Sequence, residues 1–215
     1  MSEQTMEAAS SAADNESRAE TNIRPARPTV RALLLRDAAT VIALLTLFGA
    51  GDTWRFATDL QIAHCTALLG ALGIGVALGA LWHEWGHWSG AMFTGASTRI
   101  IPPAGLSVFR FDFDFVNNNT RQFHWMTFGG QIAQWALVLL IAVFVPMDAA
   151  NRVALLAGAF GFAVFASAIE VPVLRASSAG TPPLQALRDN IDKAVLKRCR
   201  MIGAGAAIVL FALVV

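Results

Sequence analysis

The chain has 215 residues, of which 55% are hydrophobic and only 14% are charged, whereas a soluble domain carries about 25% charged residues. This deficit excludes an ordinary water-soluble enzyme, a disordered protein and a nucleic-acid-binding protein. The formal net charge is +1, so no excess of charge indicates a polyanionic partner. The two cysteines, Cys65 and Cys199, form no CxxC pair, which argues against a disulfide framework or a thiolate zinc site.

Apolar runs follow a polar N-terminal tail. Residues 1–30 are rich in Ser, Ala, Glu and Thr and lack the apolar core of a signal peptide, so we predict a disordered tail. A helix of about 20 residues crosses the ~30 Å hydrocarbon core of a bilayer. Residues 31–215 are therefore predicted to form one all-α polytopic membrane domain with about five transmembrane helices, at 32–51, 62–82, 126–146, 153–174 and 201–215. The last run is short and spans only if the basic residues before it extend to the interface.

Basic residues are unevenly distributed among the predicted loops. Arginines are concentrated before the first span, and basic residues gather between the second and third spans and after the fourth. The other two loops carry only Arg55 and Arg152. Because basic loops face the cytoplasm, we expect a multi-pass protein with a cytoplasmic N-terminus, in a bacterial inner membrane.

The second predicted span ends in residues 83–87, His-Glu-Trp-Gly-His, which match HExxH. Residues four apart lie on one face of a helix, so His83 and His87 can reach the same metal ion. Glu84 projects roughly 100° around the helix from His83. In such sites zinc lowers the pKa of a water to about 7, and the carboxylate acts as general base. Polar groups in an apolar helix are costly and usually functional, so we predict a zinc site rather than an interfacial cluster satisfied by water and headgroups.

This motif resembles the HExxH helix of the site-2 proteases, the intramembrane zinc metalloproteases. The resemblance covers about residues 70–185 and rests mainly on His-Glu-Trp-Gly-His-Trp at 83–88, followed by Gly-Ala-Met-Phe-Thr-Gly at 90–95. In that family a short β-rich segment dips into the membrane after this helix. Residues 96–115 fit it, since phenylalanines alternate with charged residues over 109–115, which is a strand pattern.

The later family motifs are altered. The next core helix of the family opens with Gly-Pro and a nearby Asn, and this chain has Gly129-Gly130-Gln131 and then Gln134 at that place. The resemblance implies that Gln131 and Gln134 hydrogen-bond the substrate backbone or the oxyanion. Amides in bilayer helices also join helices to one another, and the sequence leaves both roles open.

The third zinc ligand of the family is the Asp of an Asp-Gly pair, which residues 177–180 do not contain. Two acids, Glu170 and Asp189, can replace it, because zinc accepts either carboxylate at about 2.0–2.2 Å. We predict Glu170, which lies inside the fourth span, and expect Asp189 to be a solvated surface residue. The alternative for Glu170 is a structural acid that pairs with Arg175 or with a helix N-terminus.

Together these features predict a hydrolase, a zinc-dependent intramembrane endopeptidase that cleaves transmembrane protein substrates within or beside their membrane segments. Its partners would be that substrate and membrane lipids, with no nucleic acid. A bilayer helix hides its carbonyls, so the substrate must unwind, and residues 105–115 would pair with the extended chain. The alternatives are an inactive site-2-protease-like protein that acts as a membrane binding or assembly factor, or a metal-binding structural subunit of a membrane complex. The intact Glu84 favours the enzyme.

Overall fold

The computed structural model describes residues 29–101 and 110–215, so the predicted tail falls almost wholly outside the described residues. Within them lie six helices and a two-stranded sheet. In chain order these are α1 Val30–Thr58, α2 Gln61–Phe93, β1 Thr98–Ile101, β2 Arg110–Phe113, α3 Thr120–Phe144, α4 Ala150–Ser178, α5 Pro183–Asn190 and α6 Lys193–Val214.

The helices α1 to α4 are each long and apolar enough to cross a membrane. They contain 25 to 33 residues, or about 37–50 Å of helix, and their outer faces are lined with exposed apolar side chains such as Leu47 and Leu139. These features confirm the predicted all-α polytopic class.

The predicted fifth run, 201–215, lies in α6. That helix has 22 residues, but its first two turns carry exposed Lys193, Lys197, Arg198 and Arg200, so it does not reach the apolar length of the other four. A fifth crossing therefore stays a prediction.

Glycines bring α2 and α3 into close contact. A Cβ on Gly90 would lie 2.1 Å from the Trp125 carbonyl oxygen, and one on Gly129 would lie 2.2 Å from the Gly86 carbonyl oxygen. Later residues of α2 thus meet earlier residues of α3, and the two helices run antiparallel. Only glycine allows backbones to approach this closely.

The helix α4 lies parallel to α2 in the middle of the bundle. A Cβ on Gly75 would lie 2.2 Å from the Leu155 carbonyl oxygen, and one on Gly79 would lie 3.0 Å from the Phe162 ring. Residues 75–79 thus form a Gly-x-x-x-Gly packing face against α4, as the spacing of small residues in the sequence predicts. This contact lies within the larger of the two apolar clusters of the described residues, which includes Ile74 and Leu155.

A turn and a β-hairpin connect α2 to α3. Gly95 adopts φ +65°, and the N–H groups of Gly95 and Ala96 donate to the carbonyls of Met92 and Ala91, which is a Schellman cap. The strands then pair antiparallel, with Thr98 opposite Phe113. The described parts of the predicted β-rich segment 96–115 therefore form a hairpin, whereas residues 102–109 lie outside the described residues.

The acids of the hairpin have structural partners. Asp112 accepts from Arg99 across the strands at 2.8 Å. Asp114 accepts from the Asn117 side chain and from the N–H groups of Asn117 and Val116, which hold the pKa of that carboxyl below its ordinary value. These contacts explain the two acids as parts of a strand and its turn.

Two polar contacts attach α1 to the rest of the bundle. Near its start, the buried Asp37 carboxylate accepts from the Trp85 indole N–H at 2.8 Å. Near its end, Asp52 accepts from Asn151 at 3.0 Å and from Arg152 at 2.7 Å, both on α4. Asp37 is buried, with 4% exposure.

Candidate metal centre

Three potential metal ligands converge between α2 and α4. His83 and His87 lie one turn apart on α2, and their Nε2 atoms are 2.9 Å apart. Glu170 reaches them from α4, its Oε1 lying 3.0 Å from His83 Nε2 and 2.9 Å from His87 Nε2. Because α2 and α4 are parallel, residues near the same end of each helix meet, and the structure brings together the three residues that the sequence selects.

A backbone carbonyl orients the His87 imidazole. His87 Nδ1 lies 2.9 Å from the Met126 oxygen on α3, and since a carbonyl only accepts, Nδ1 must be the donor. In the neutral ring the lone pair then lies on Nε2, which is the arrangement required of a metal-binding histidine.

Gly130 makes room for the same ring. A Cβ at this position would lie 2.4 Å from His87 Cε1 and 2.6 Å from its Nδ1. The Gly129-Gly130 pair thus has two distinct roles in this chain: Gly129 packs on α2, and Gly130 accommodates the His87 imidazole.

Gln131 holds the second oxygen of Glu170. Its Nε2 donates to Glu170 Oε2 at 2.7 Å, which leaves Oε1 directed at the histidines. The side-chain amide oxygen of Gln131, Oε1, accepts from the Ser167 hydroxyl and from Gln134 Nε2, both at 2.8 Å. These two donors fix the orientation of the Gln131 side-chain amide, because exchanging its Oε1 and Nε2 would place the Gln131 N–H groups against them.

Gln134 joins α3 to α4. It is 1% exposed, and its Nε2 contacts the Ala163 carbonyl oxygen at 3.2 Å and the Ser167 hydroxyl at 3.1 Å as well as Gln131. These contacts match the helix-joining role that the sequence left open for it. An oxyanion role for Gln131 or Gln134 stays a prediction.

Glu84 lies beside the histidines, half-buried. Its electrostatic neighbours include His87, His83, Arg110 and Glu170. Among residues 29–101 and 110–215 its carboxylate makes no hydrogen bond, so its oxygens are available to a water. A role of Glu84 as general base stays a prediction.

The donor set fits a zinc ion. His83 Nε2, His87 Nε2 and Glu170 Oε1 lie 2.9–3.0 Å from one another, so a single cation can contact all three. A tetrahedral zinc with bonds of about 2.0–2.1 Å separates its ligand atoms by roughly 3.3–3.4 Å, only ~0.4 Å more than the separations here. Two imidazoles and one carboxylate form a set that catalytic zinc commonly takes.

His83 is oriented by packing rather than by a second hydrogen bond. Its Nδ1 is buried and finds no partner among the described residues. The Phe162 ring of α4 lies edge-on to it, with centroids 5.6 Å apart.

Asp189, Arg175 and the other two histidines of the chain lie outside the cluster. Asp189 is exposed on α5, and Arg175 is exposed near the end of α4, away from the contacts of Glu170. His64 pairs with Asp59 at 2.9 Å, and His124 contacts the Ser177 hydroxyl at 3.1 Å. Each of these residues therefore has a surface or structural environment.

Three parts of the site were missed by sequence reasoning: the Met126 carbonyl, the Ser167 hydroxyl and the Phe162 ring. A backbone carbonyl has no sequence signature. Ser167 had a usable signal, because it precedes Glu170 by one helical turn and so shares a face with it.

Comparison of the chain with protein-family models, with curated proteins and with solved structures gives no match. The class that fold and site define is thus a polytopic helical protein with a His-His-Glu cluster between two parallel helices.

Proposed function

We propose that the chain is a zinc-dependent intramembrane endopeptidase. The observation that carries the proposal is the convergence of His83, His87 and Glu170 beside Glu84, inside helices long enough to cross a membrane. Ionisable groups at such depth are expensive and need a partner that compensates for their desolvation. The proposed class is that of the site-2 proteases.

Each residue of the site has a separate task in this proposal. His83, His87 and Glu170 would hold zinc, which supplies Lewis acidity and lowers the pKa of a water to about 7. Glu84 would serve as general base towards a water and would return the proton to the leaving amine. The Met126 carbonyl keeps the His87 ring in position.

The proposed substrate is a transmembrane segment that has locally unwound. The hairpin starts five residues after α2 ends, so a strand paired with it would be held close to the helix end that carries His87. Pairing of this kind satisfies the backbone groups that unwinding exposes. By the distribution of basic residues, the site would face the cytoplasmic side of a bacterial inner membrane.

Zinc content and cleavage, measured together, test the proposal. The purified chain in lipid nanodiscs is expected to carry one zinc and to cleave a test substrate with a single transmembrane helix. Glu84→Gln should keep the zinc and abolish cleavage, because it removes only the base. His83→Ala and His87→Ala should each lose the zinc and the activity.

The same measurements identify the competing functions. If the wild-type chain binds zinc but cleaves none of the test substrates, it would be a metal-binding structural subunit. Absence of both zinc and cleavage would indicate a membrane binding or assembly factor. Full zinc retention in the double histidine variant would remove the site altogether.

A further inference from the structure

A groove of about 700 Å³ separates α2 from α6 on the outer face of the bundle. Its floor is α4, where Gly158 and Gly161 present no side chains, and its walls carry Leu72 and Val76 of α2 and Ala204 and Ile208 of α6. Phe162 also lines it, and the ring of this residue stands between the groove and His83. The groove is thus a cavity distinct from the metal centre.

One charged side chain, Arg200, lines this groove among the described residues. It is exposed and forms no ion pair with any residue that the structure describes. Lys197 and Arg198 precede it on α6 and are also exposed. A cation at the end of an otherwise apolar groove is complementary to a ligand that has an anionic head and an apolar body.

The groove has the length of one lipid leaflet. Gly161 approaches Ala207, and Phe165 approaches Gly203, so α6 runs antiparallel to α4, and Arg200 lies about one turn beyond Phe165 towards Glu170. From Arg200 to Phe211, which also lines the groove, is about 16 Å along the helix. Half of a bilayer core is ~15 Å thick.

We propose that this groove binds one anionic phospholipid, with its headgroup phosphate on Arg200 and an acyl chain along the glycine floor. Basic pockets between transmembrane helices bind anionic lipid headgroups, and a guanidinium binds phosphate through two parallel hydrogen bonds. The charge of Arg200 favours such a lipid over a wholly apolar helix from a partner. The site is independent of the proposed peptidase activity.

Native mass spectrometry of the detergent-purified full chain, titrated with phosphatidylglycerol and with phosphatidylcholine of the same acyl chains, tests the headgroup. One phosphatidylglycerol should bind at least ~5-fold more tightly than phosphatidylcholine, and Arg200→Gln should abolish this preference. The matched control is Arg198→Gln, which removes an exposed charge outside the groove lining and should keep the preference. Equal losses in the two variants would overturn the proposal, because binding would then depend on net charge alone.

A second pair of variants tests the apolar part. Ala204→Trp fills the groove and should weaken both lipids, whereas Ile202→Trp, at an exposed position outside the lining, should leave both unchanged. If Ala204→Trp does not fold, the arginine pair alone decides. Lipid binding unaffected by a folded Ala204→Trp overturns the proposal. So does a wild-type dimer that binds no lipid and that Ala204→Trp makes monomeric, since a second copy would then fill the groove.

Discussion

Glu170 places a carboxyl group within a helix apolar enough to cross a membrane, and each described contact of that group is polar. Oε1 faces two imidazoles, and Oε2 accepts from Gln131. An ionised carboxylate in hydrocarbon is stable only when it is paired and hydrogen-bonded. The ionised form of Glu170 therefore depends on these polar neighbours, just as the proposed zinc would depend on Glu170.

Replacement of Glu170 tests its role as third ligand. Glu170→Gln should lower zinc affinity by at least ~100-fold, because a neutral amide is a far weaker ligand, and Glu170→Asp should retain more of the affinity. Competition with a chelator of known affinity measures both. The control is Asp189→Asn, at an exposed position, which should bind as the wild type does. The reverse pattern, loss in Asp189→Asn alone, would assign the ligand to the later acid.

Gln131 is expected to act through Glu170 as a positioning residue. Gln131→Leu removes the donor to Oε2 and should lower zinc affinity by about 10-fold, the usual effect of losing an outer hydrogen bond. The visible absorption of the cobalt-substituted protein should shift as well, since the carboxylate is free to rotate. Gln185→Leu, on the exposed face of α5, should change neither quantity. An unchanged cobalt spectrum in Gln131→Leu would show that Gln131 only joins helices.

The convergence of His83, His87 and Glu170 was predictable from spacing and from the cost of burying a charge. The turn between His83 and His87 places both on one face, and the depth of Glu170 in an apolar run marked it as a residue in need of a partner. The Met126 carbonyl and the space that Gly130 leaves for His87 depend on how α3 packs. Such packing is a tertiary property that no local pattern encodes.

Between elements, the close approach of backbones does most of the positioning. The glycines at 86, 90 and 129 set the distance between α2 and α3, and Gly75 and Gly158 set the distance between α2 and α4. Without a hydrophobic driving force between helices in lipid, association depends on such contacts. The contact of His83 and His87 with Glu170 depends on the distance between α2 and α4, and the bond from His87 to the Met126 carbonyl depends on the distance between α2 and α3.

Gly75 offers a test with an internal control on the same helix. Gly75→Ala would bring a Cβ to 2.2 Å from the Leu155 carbonyl oxygen and should lower the free energy of unfolding by ~1–3 kcal/mol, as overpacking does. A Cβ on Gly73 meets nothing within 4 Å, so Gly73→Ala should be neutral or stabilising by up to ~1 kcal/mol. Denaturant unfolding in mixed micelles measures both. Equal effects of the two substitutions would contradict the packing argument.

The elements themselves were predicted unequally well. Hydropathy located the four long helices, although α2 continues eleven residues past the predicted end at 82, because the HExxH segment is polar but helical. The alternation of Phe with charged residues predicted a strand, which is β2, whereas its partner β1 lies outside that run. The short helix α5 was missed, since its eight residues are too few for the apolar spacing of Leu184 and Leu187 to stand out in the sequence.

Across the whole molecule, successive long helices alternate in direction. Asp37 meets Trp85 and Asp52 meets Asn151 at opposite ends of α1, and the glycine contacts order α2, α3 and α4 in the same alternating way. The end of the bundle that holds His83, His87 and Glu170 is also the end at which the hairpin lies. Alternation of this kind matches the alternating charge of the loops in the sequence.

Reporter fusions test the orientation. A reporter after Phe115 should be cytoplasmic and one at Asp148 external, because α3 lies between them and basic loops stay inside. Enzymatic reporters that are active on only one side of the membrane measure this directly. Both reporters in one compartment would contradict a crossing by α3 and, with it, the cytoplasmic position proposed for the site.

The three residues of the cluster enter the membrane in a fixed order as the chain is synthesised. Glu170 lies 83 residues after His87, and α3, which supplies the carbonyl for His87, lies between them. A ribosome therefore delivers the two histidines to the bilayer long before the carboxylate, and for that interval the chain offers only an incomplete pair of ligands. Because α4 must be inserted beside α2 before the carboxylate arrives, the His-His-Glu cluster is completed late in biogenesis, and the peptidase proposed for it would stay inactive in an unfinished chain.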